Sequence, residues 1–133
     1  MNKKYKTVNA VIEFWVGLIK NEMQKELDLI TNEKALKRKQ IEFSDNLRNF
    51  RINLAEHVLF LMPVRKYDLL QLNCIGTPNG YLRAIMKHSN INPSCLDGKI
   101  IEMEITASDV VVYNRKENTQ IKLFNEKSFD MQK

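Results

Sequence analysis

The sequence predicts an α+β fold, with an N-terminal helical hairpin, or one long bent helix, packed on a small antiparallel sheet. The sheet ends in a three-stranded meander, and one short helix lies between strands. Three observations lead there. Apolar residues recur every three or four positions through residues 8–61; they alternate with period two at residues 101–105; and turn-forming residues cluster only after Pro63. At 133 residues the chain fits a single domain, 1–133. Within it, 1–62 reads as helical and basic, 63–124 as strand-rich, and 125–133 as a polar tail.

The first seven residues are polar and basic, and the spacing predicts a frayed start with Thr7 as helix cap. From Val8 the series Val8, Ile12, Trp15, Ile19, Met23, Leu27, Ile30 follows one helical face, widened by Val11, Leu18 and Leu29. Apolar content then drops through 31–40 and resumes at Phe43, Leu47, Phe50, Leu54, Val58 and Leu61. No glycine or proline occurs between Leu18 and Met62, so the sequence supplies no hard stop. Two helices bury both stripes against each other, which favours a hairpin turning near Asn32 or near Ser44-Asp45-Asn46.

Pro63 ends the helical region, because it lacks an amide hydrogen and disfavours the α conformation at Met62. Val64 to Ile75 reads as a strand with Leu70, Leu72 and Cys74 on one face and Gln71 and Asn73 on the other. The turn Gly76-Thr77-Pro78-Asn79-Gly80 follows, then a short helix, Tyr81 to Ser89, with Leu82, Ile85, Met86 and Ser89 on one face. Residues 90–98 read as a loop. Lys99 to Thr106 alternates Ile101, Met103 and Ile105 against Glu102, Glu104 and Thr106, and strands at 109–114 and 119–124 complete the meander. The core expected from these patterns contains Leu47, Leu54, Ile101, Met103, Ile105, Val111 and Ile121.

The net charge is +5, and its whole excess lies in the first half. Residues 1–66 hold 13 Lys or Arg against 8 Asp or Glu, while residues 67–133 hold 8 of each. Such asymmetry attracts nucleic acid, an acidic protein or an anionic surface. Lysine outnumbers arginine 15 to 6 beside 14 asparagines, a bias expected of an AT-rich coding sequence, which tempers the argument from charge. No apolar run is long enough for a membrane span or a signal segment, and two cysteines make no disulfide framework. The chain therefore reads as cytoplasmic.

Chemistry-bearing residues are sparse. The Gly76–Gly80 turn resembles a phosphate cradle only superficially, since it lacks the P-loop spacing and contains a proline. Cys74, Cys95, His57 and His88 are too scattered for a zinc site, and of the possible thiol–histidine pairs His88 with Cys95 is closest in sequence. Glu102 and Glu104 share a strand face, which for neighbours two apart describes a polar surface. The best candidate is the basic run Lys34, Lys37, Arg38, Lys39 with Arg48 and Arg51, because phosphate contact requires only clustered cations.

These observations describe a non-catalytic binding protein with no cofactor and no metal. Its first helix is apolar nearly all round, so Val8, Val11, Ile12, Phe14, Trp15, Leu18 and Ile19 are expected to join copies of the chain, most simply as a homodimer. One alternative is non-specific nucleic-acid binding through residues 34–51. Another is a small enzyme using Cys95 and His88.

Overall fold

A computed structural model describes residues 3–61 and 68–125. The chain runs α1 (Lys3–Asp28), α2 (Glu33–Leu61), β1 (Leu70–Ile75), α3 (Gly80–His88), a 3-10 turn (Pro93–Leu96), β2 (Ile100–Ile105), β3 (Asp109–Asn114) and β4 (Thr119–Asn125). The four strands form one antiparallel sheet in the order β1-β2-β3-β4. The α+β class, the helical hairpin, the meander and the helix between strands are all present.

The hairpin turns at Asn32 and not at Ser44-Asp45-Asn46. The last turn of α1 tightens, Leu29 and Ile30 donating to the carbonyls of Glu26 and Leu27. Asn32 then caps α2, its Oδ1 accepting from the amide of Ala35 at 3.0 Å. Asn46 instead lies buried in mid-helix, and its Nδ2 donates to the carbonyl of Asn90 at 3.2 Å, joining α2 to the loop after α3. Helix α1 begins earlier than expected. Thr7 lies within it and is only 2% exposed, so it is a core-facing residue and not a cap. Nothing between Lys3 and Lys6 breaks a helix, and the packing of Val8 and Val11 carries the helix back through them.

The layers follow from which elements touch. Helix α1 lies over β3 and β4, α3 lies over β1, and α2 packs on both helices as a third layer. Its buried residues Phe50, Leu54 and Val58 sit on the side facing them. Trp15 is 0% exposed, and its indole Nε1 donates to the thioether sulfur of Met103 on β2 at 3.3 Å. The ring of Phe14 meets it edge-on at 5.2 Å. Helix α3 is tied to α2 by Ser89, whose hydroxyl donates to the carbonyl of Ile85 and accepts from Asn53.

The sheet buries one face. Leu70, Leu72 and Cys74 point inward from β1, and Ile101, Met103 and Ile105 from β2. The described strand starts only at Leu70; Asp68 and Leu69 precede it without pairing among the described residues, and residues 64–67 of the expected strand lie outside the described residues, as do Pro63 and the tail from 126. The expected loop at 90–98 contains the 3-10 turn, opened by Asn92, whose side chain accepts from the amide of Ser94.

Three core expectations need correction. Val111 is half-buried on the outer face, because Val110 and Val112 pair with the inward Ile105 and Met103. Ile121 is 56% exposed, since β4 is an edge strand with no neighbour beyond it among the described residues. A bulge there inserts Leu123, which packs against the core instead. Leu47 is only half-buried, for it faces a groove between the two long helices.

Candidate functional site

The six basic residues singled out in the sequence all lie on α2, in the 19 residues from Glu33 to Arg51. At about 100° per residue, Lys34, Lys37, Arg38 and Arg48 fall within an arc of roughly 100° on the side turned away from the core. Arg51 lies about 40° beyond the edge of that arc, and Lys39 about 100° from Arg38 on the other side. The structure therefore brings four of the six to one face.

Their partners divide them further. Lys39 is half-buried, sits 5.3 Å from the centre of the Phe43 ring and pairs with Glu42 at 3.5 Å. Arg51 pairs with Glu13 and so clasps α2 to α1. Arg48 pairs with Asp45 at 2.7 Å along its own helix. Lys34, Lys37 and Arg38 are exposed and make no ion pair among the described residues. These three cations are free to meet an external anion. The same face also exposes two aliphatic residues, Ile41 at 64% and Ile52 at 51%, which helical periodicity gave no reason to expect there.

The other candidates resolve into structural roles. Cys74 is buried and donates its thiol to the carbonyl of Leu96 at 3.3 Å. Burial, then the nearby Asp97 carboxylate, raises its pKa. Burial and the Glu22 and Asp97 carboxylates push the Cys95 thiol up to about 11. Both thiols are thus held protonated at neutral pH, the opposite of what a nucleophile needs. Cys95 lines a crevice with Glu22, Lys39 and Asn92, whereas His88 lines a different groove with His57 and Phe60 between α2 and α3. His57 rests against the Tyr81 ring, with centroids 5.2 Å apart. No group of three or more His, Cys, Asp or Glu among the described residues could hold a metal ion.

Glu102 is held by the guanidinium of Arg115, from Nε at 3.3 Å and Nη2 at 3.4 Å, on the outer face of the sheet. The Gly76–Gly80 turn commits part of its amides to neighbouring backbone. Gly76 donates to Lys99 and Asn79 to Asn73, and Pro78 has no amide hydrogen, so three of the five turn residues offer no amide to a phosphate. Gly76 and Gly80 have φ of +78° and +48°, the left-handed values that make glycine the residue for this strand-to-helix turn.

The surface expected to join copies of the chain is inside the molecule. Val8, Val11, Ile12, Trp15 and Ile19 are buried in the single-chain core, with Phe14 and Leu18 packed against it. As the middle layer, α1 is covered by the sheet on one side and by α2 on the other. The apolar surplus that suggested a partner is accounted for within one chain.

A feature the sequence did not single out is the groove between α1 and α2 near the hairpin turn, about 540 Å³ in volume. Met23, Leu27, Phe43 and Leu47 form its floor, with Lys20, Arg48 and Arg51 among its walls. In the sequence these apolar residues continue the core stripes, and spacing does not say where the covering layer stops.

Comparisons with protein-family models, with curated proteins and with solved structures return no match. Among the described residues, no helix is long and apolar enough to cross a membrane.

Proposed function

We propose that this is a non-catalytic binding protein whose outer α2 face, Lys34, Lys37 and Arg38 with Arg48, engages the phosphate backbone of nucleic acid. The observation carrying this reading is that three neighbouring cations on one exposed helix face have no carboxylate partner among the described residues. Such cations release condensed counterions when they meet phosphates, which supplies affinity without reading sequence. Aromatic residues for base stacking do not support a finer assignment, since Phe50 is buried and Phe43 is packed against the core. Binding is therefore electrostatic and indifferent to base order.

Fluorescence anisotropy with labelled duplexes of unrelated sequence tests this. The wild type is expected to bind them with similar affinity at low salt. The Lys34→Ala/Lys37→Ala/Arg38→Ala variant should lose about tenfold or more on every duplex, because each substitution removes a phosphate contact. A strong sequence preference that survives the triple change would rule the reading out.

A second reading, an acidic protein as partner, draws support from Ile41 and Ile52, whose exposed aliphatic surfaces lie on the same helix face as the cations. Nucleic-acid binding does not use them. Changing both to serine should leave duplex affinity unaltered, whereas binding to an acidic protein should weaken.

A further inference from the structure

Between the two long helices, near their turn, lies a groove whose two ends differ in chemistry. The helices are antiparallel, with Glu13 of α1 level with Arg51 of α2 through their ion pair. Moving from that level toward the turn, the groove passes Arg51, Arg48 and Lys20, then Met23 and Phe43, then Gln40 and Leu27. Helical side chains lean toward their own N-terminus, so Lys20 on one helix and Arg48 on the other lean toward each other. Cations thus gather at one end, and the apolar floor continues past them toward the turn.

We propose that this groove binds a single-chain aliphatic carboxylate, with the carboxylate at Lys20 and Arg48 and the tail along Met23, Phe43 and Leu27. Three features commit the groove to this occupant. Among the described residues no carboxylate lines it, although it carries three cations, so its charge complements an anion. Arg48 and Arg51 are paired with Asp45 and Glu13, neither of which lines the groove, while Lys20 makes no ion pair among the described residues. Lys20 is the free anchor. The groove spans Gln40 to Arg51 on α2, about 16 Å, and its volume of about 540 Å³ falls in the range of small-ligand sites.

An acidic amphipathic helix fits less well. It would repeat a carboxylate every three or four residues and require cations along the whole groove. Toward the turn the walls offer Gln24 and Gln40 instead. Met23 and Phe43 suit a flexible tail, since a thioether adapts to irregular apolar shapes. This site shares only Arg48 with the proposed nucleic-acid face, because Lys34, Lys37 and Arg38 do not line it.

Isothermal titration of the full chain with dodecanoate below its micelle concentration tests the proposal. One saturable site is expected, with dodecanol bound about tenfold more weakly. Affinity should fall by about threefold for each methylene removed in decanoate and octanoate, as expected for a largely buried chain. Lys20→Glu is an exposed change that leaves the core alone, and it should weaken dodecanoate at least about tenfold while leaving dodecanol unchanged. Leu27→Asp should weaken both. If Leu27→Asp fails to fold, the dodecanol and Lys20→Glu measurements decide the matter. Absence of saturable binding, binding equal for dodecanoate and dodecanol, or binding only to dodecanoate-containing vesicles overturns the proposal. The Lys34→Ala/Lys37→Ala/Arg38→Ala variant should bind dodecanoate as the wild type does, which keeps this test independent of the nucleic-acid reading.

Discussion

Replacing Trp15 with alanine probes the layered core at its centre. Trp15 is the only tryptophan in the chain and is fully buried, touching Met103 through its indole nitrogen and Phe14 through its ring. A buried indole removes on the order of 200 Å² from water, and at about 25 cal/mol per Å² that contributes about 5 kcal/mol. Alanine keeps part of this area and the cavity partly relaxes, so the expected loss is about 3–5 kcal/mol. With a urea dependence of roughly 2 kcal/mol per molar for a chain of this size, the unfolding midpoint should drop by about 2 M. Far-UV circular dichroism is the readout, because the variant has no tryptophan to follow. The midpoint should also be independent of protein concentration, since the residues around Trp15 belong to the same chain. A loss below about 1 kcal/mol, or a midpoint that climbs with concentration, would place Trp15 at an interface between copies and refute this packing.

Two further perturbations probe other parts of the molecule. The Cys95 thiol is raised from its ordinary value of 9.0 to about 11 in the folded chain, so between those values the unfolded chain loses this proton while the folded chain keeps it. Its contribution to stability is therefore complete below about pH 9 and lost as pH rises to about 11; in urea titrations Cys95→Ala should show a shallower alkaline decline than wild type, and an identical decline would contradict the assignment. Asn46→Ala removes the hydrogen bond from Asn46 to the Asn90 carbonyl and should cost about 1–2 kcal/mol by denaturant unfolding, with faster amide exchange at residues 89–92; unchanged stability would mean the α2-to-loop tie is not made in solution.

The helices were legible because their apolar steps of three and four leave little room for another period, and β2 because Ile101, Met103 and Ile105 alternate cleanly with Glu102 and Glu104. The hairpin turn was ambiguous between Asn32 and Asn46, which have the same side chain. What separates them is tertiary: one amide caps its own helix, while the other reaches residue 90. Val111 could not be placed from a run of three valines, as its parity comes only from pairing with β2. Ile121 obeys alternation, but lies on an edge that periodicity does not reveal. For α1 the pattern gave the width of the apolar arc correctly and was silent on whether the same chain covers it. The basic face was legible as a cluster. Its division into free and paired cations depends on neighbours such as Glu13, 38 residues away.

The most direct test of the proposed function is the salt dependence of duplex binding, measured for the wild type and for Lys34→Ala/Lys37→Ala/Arg38→Ala. Four phosphate contacts through Lys34, Lys37, Arg38 and Arg48 predict a slope of log K against log salt of roughly −3 to −4, falling to about −1 in the variant. No binding at about 50 mM salt, or a slope that the triple substitution leaves unchanged, would contradict the assignment of the α2 face.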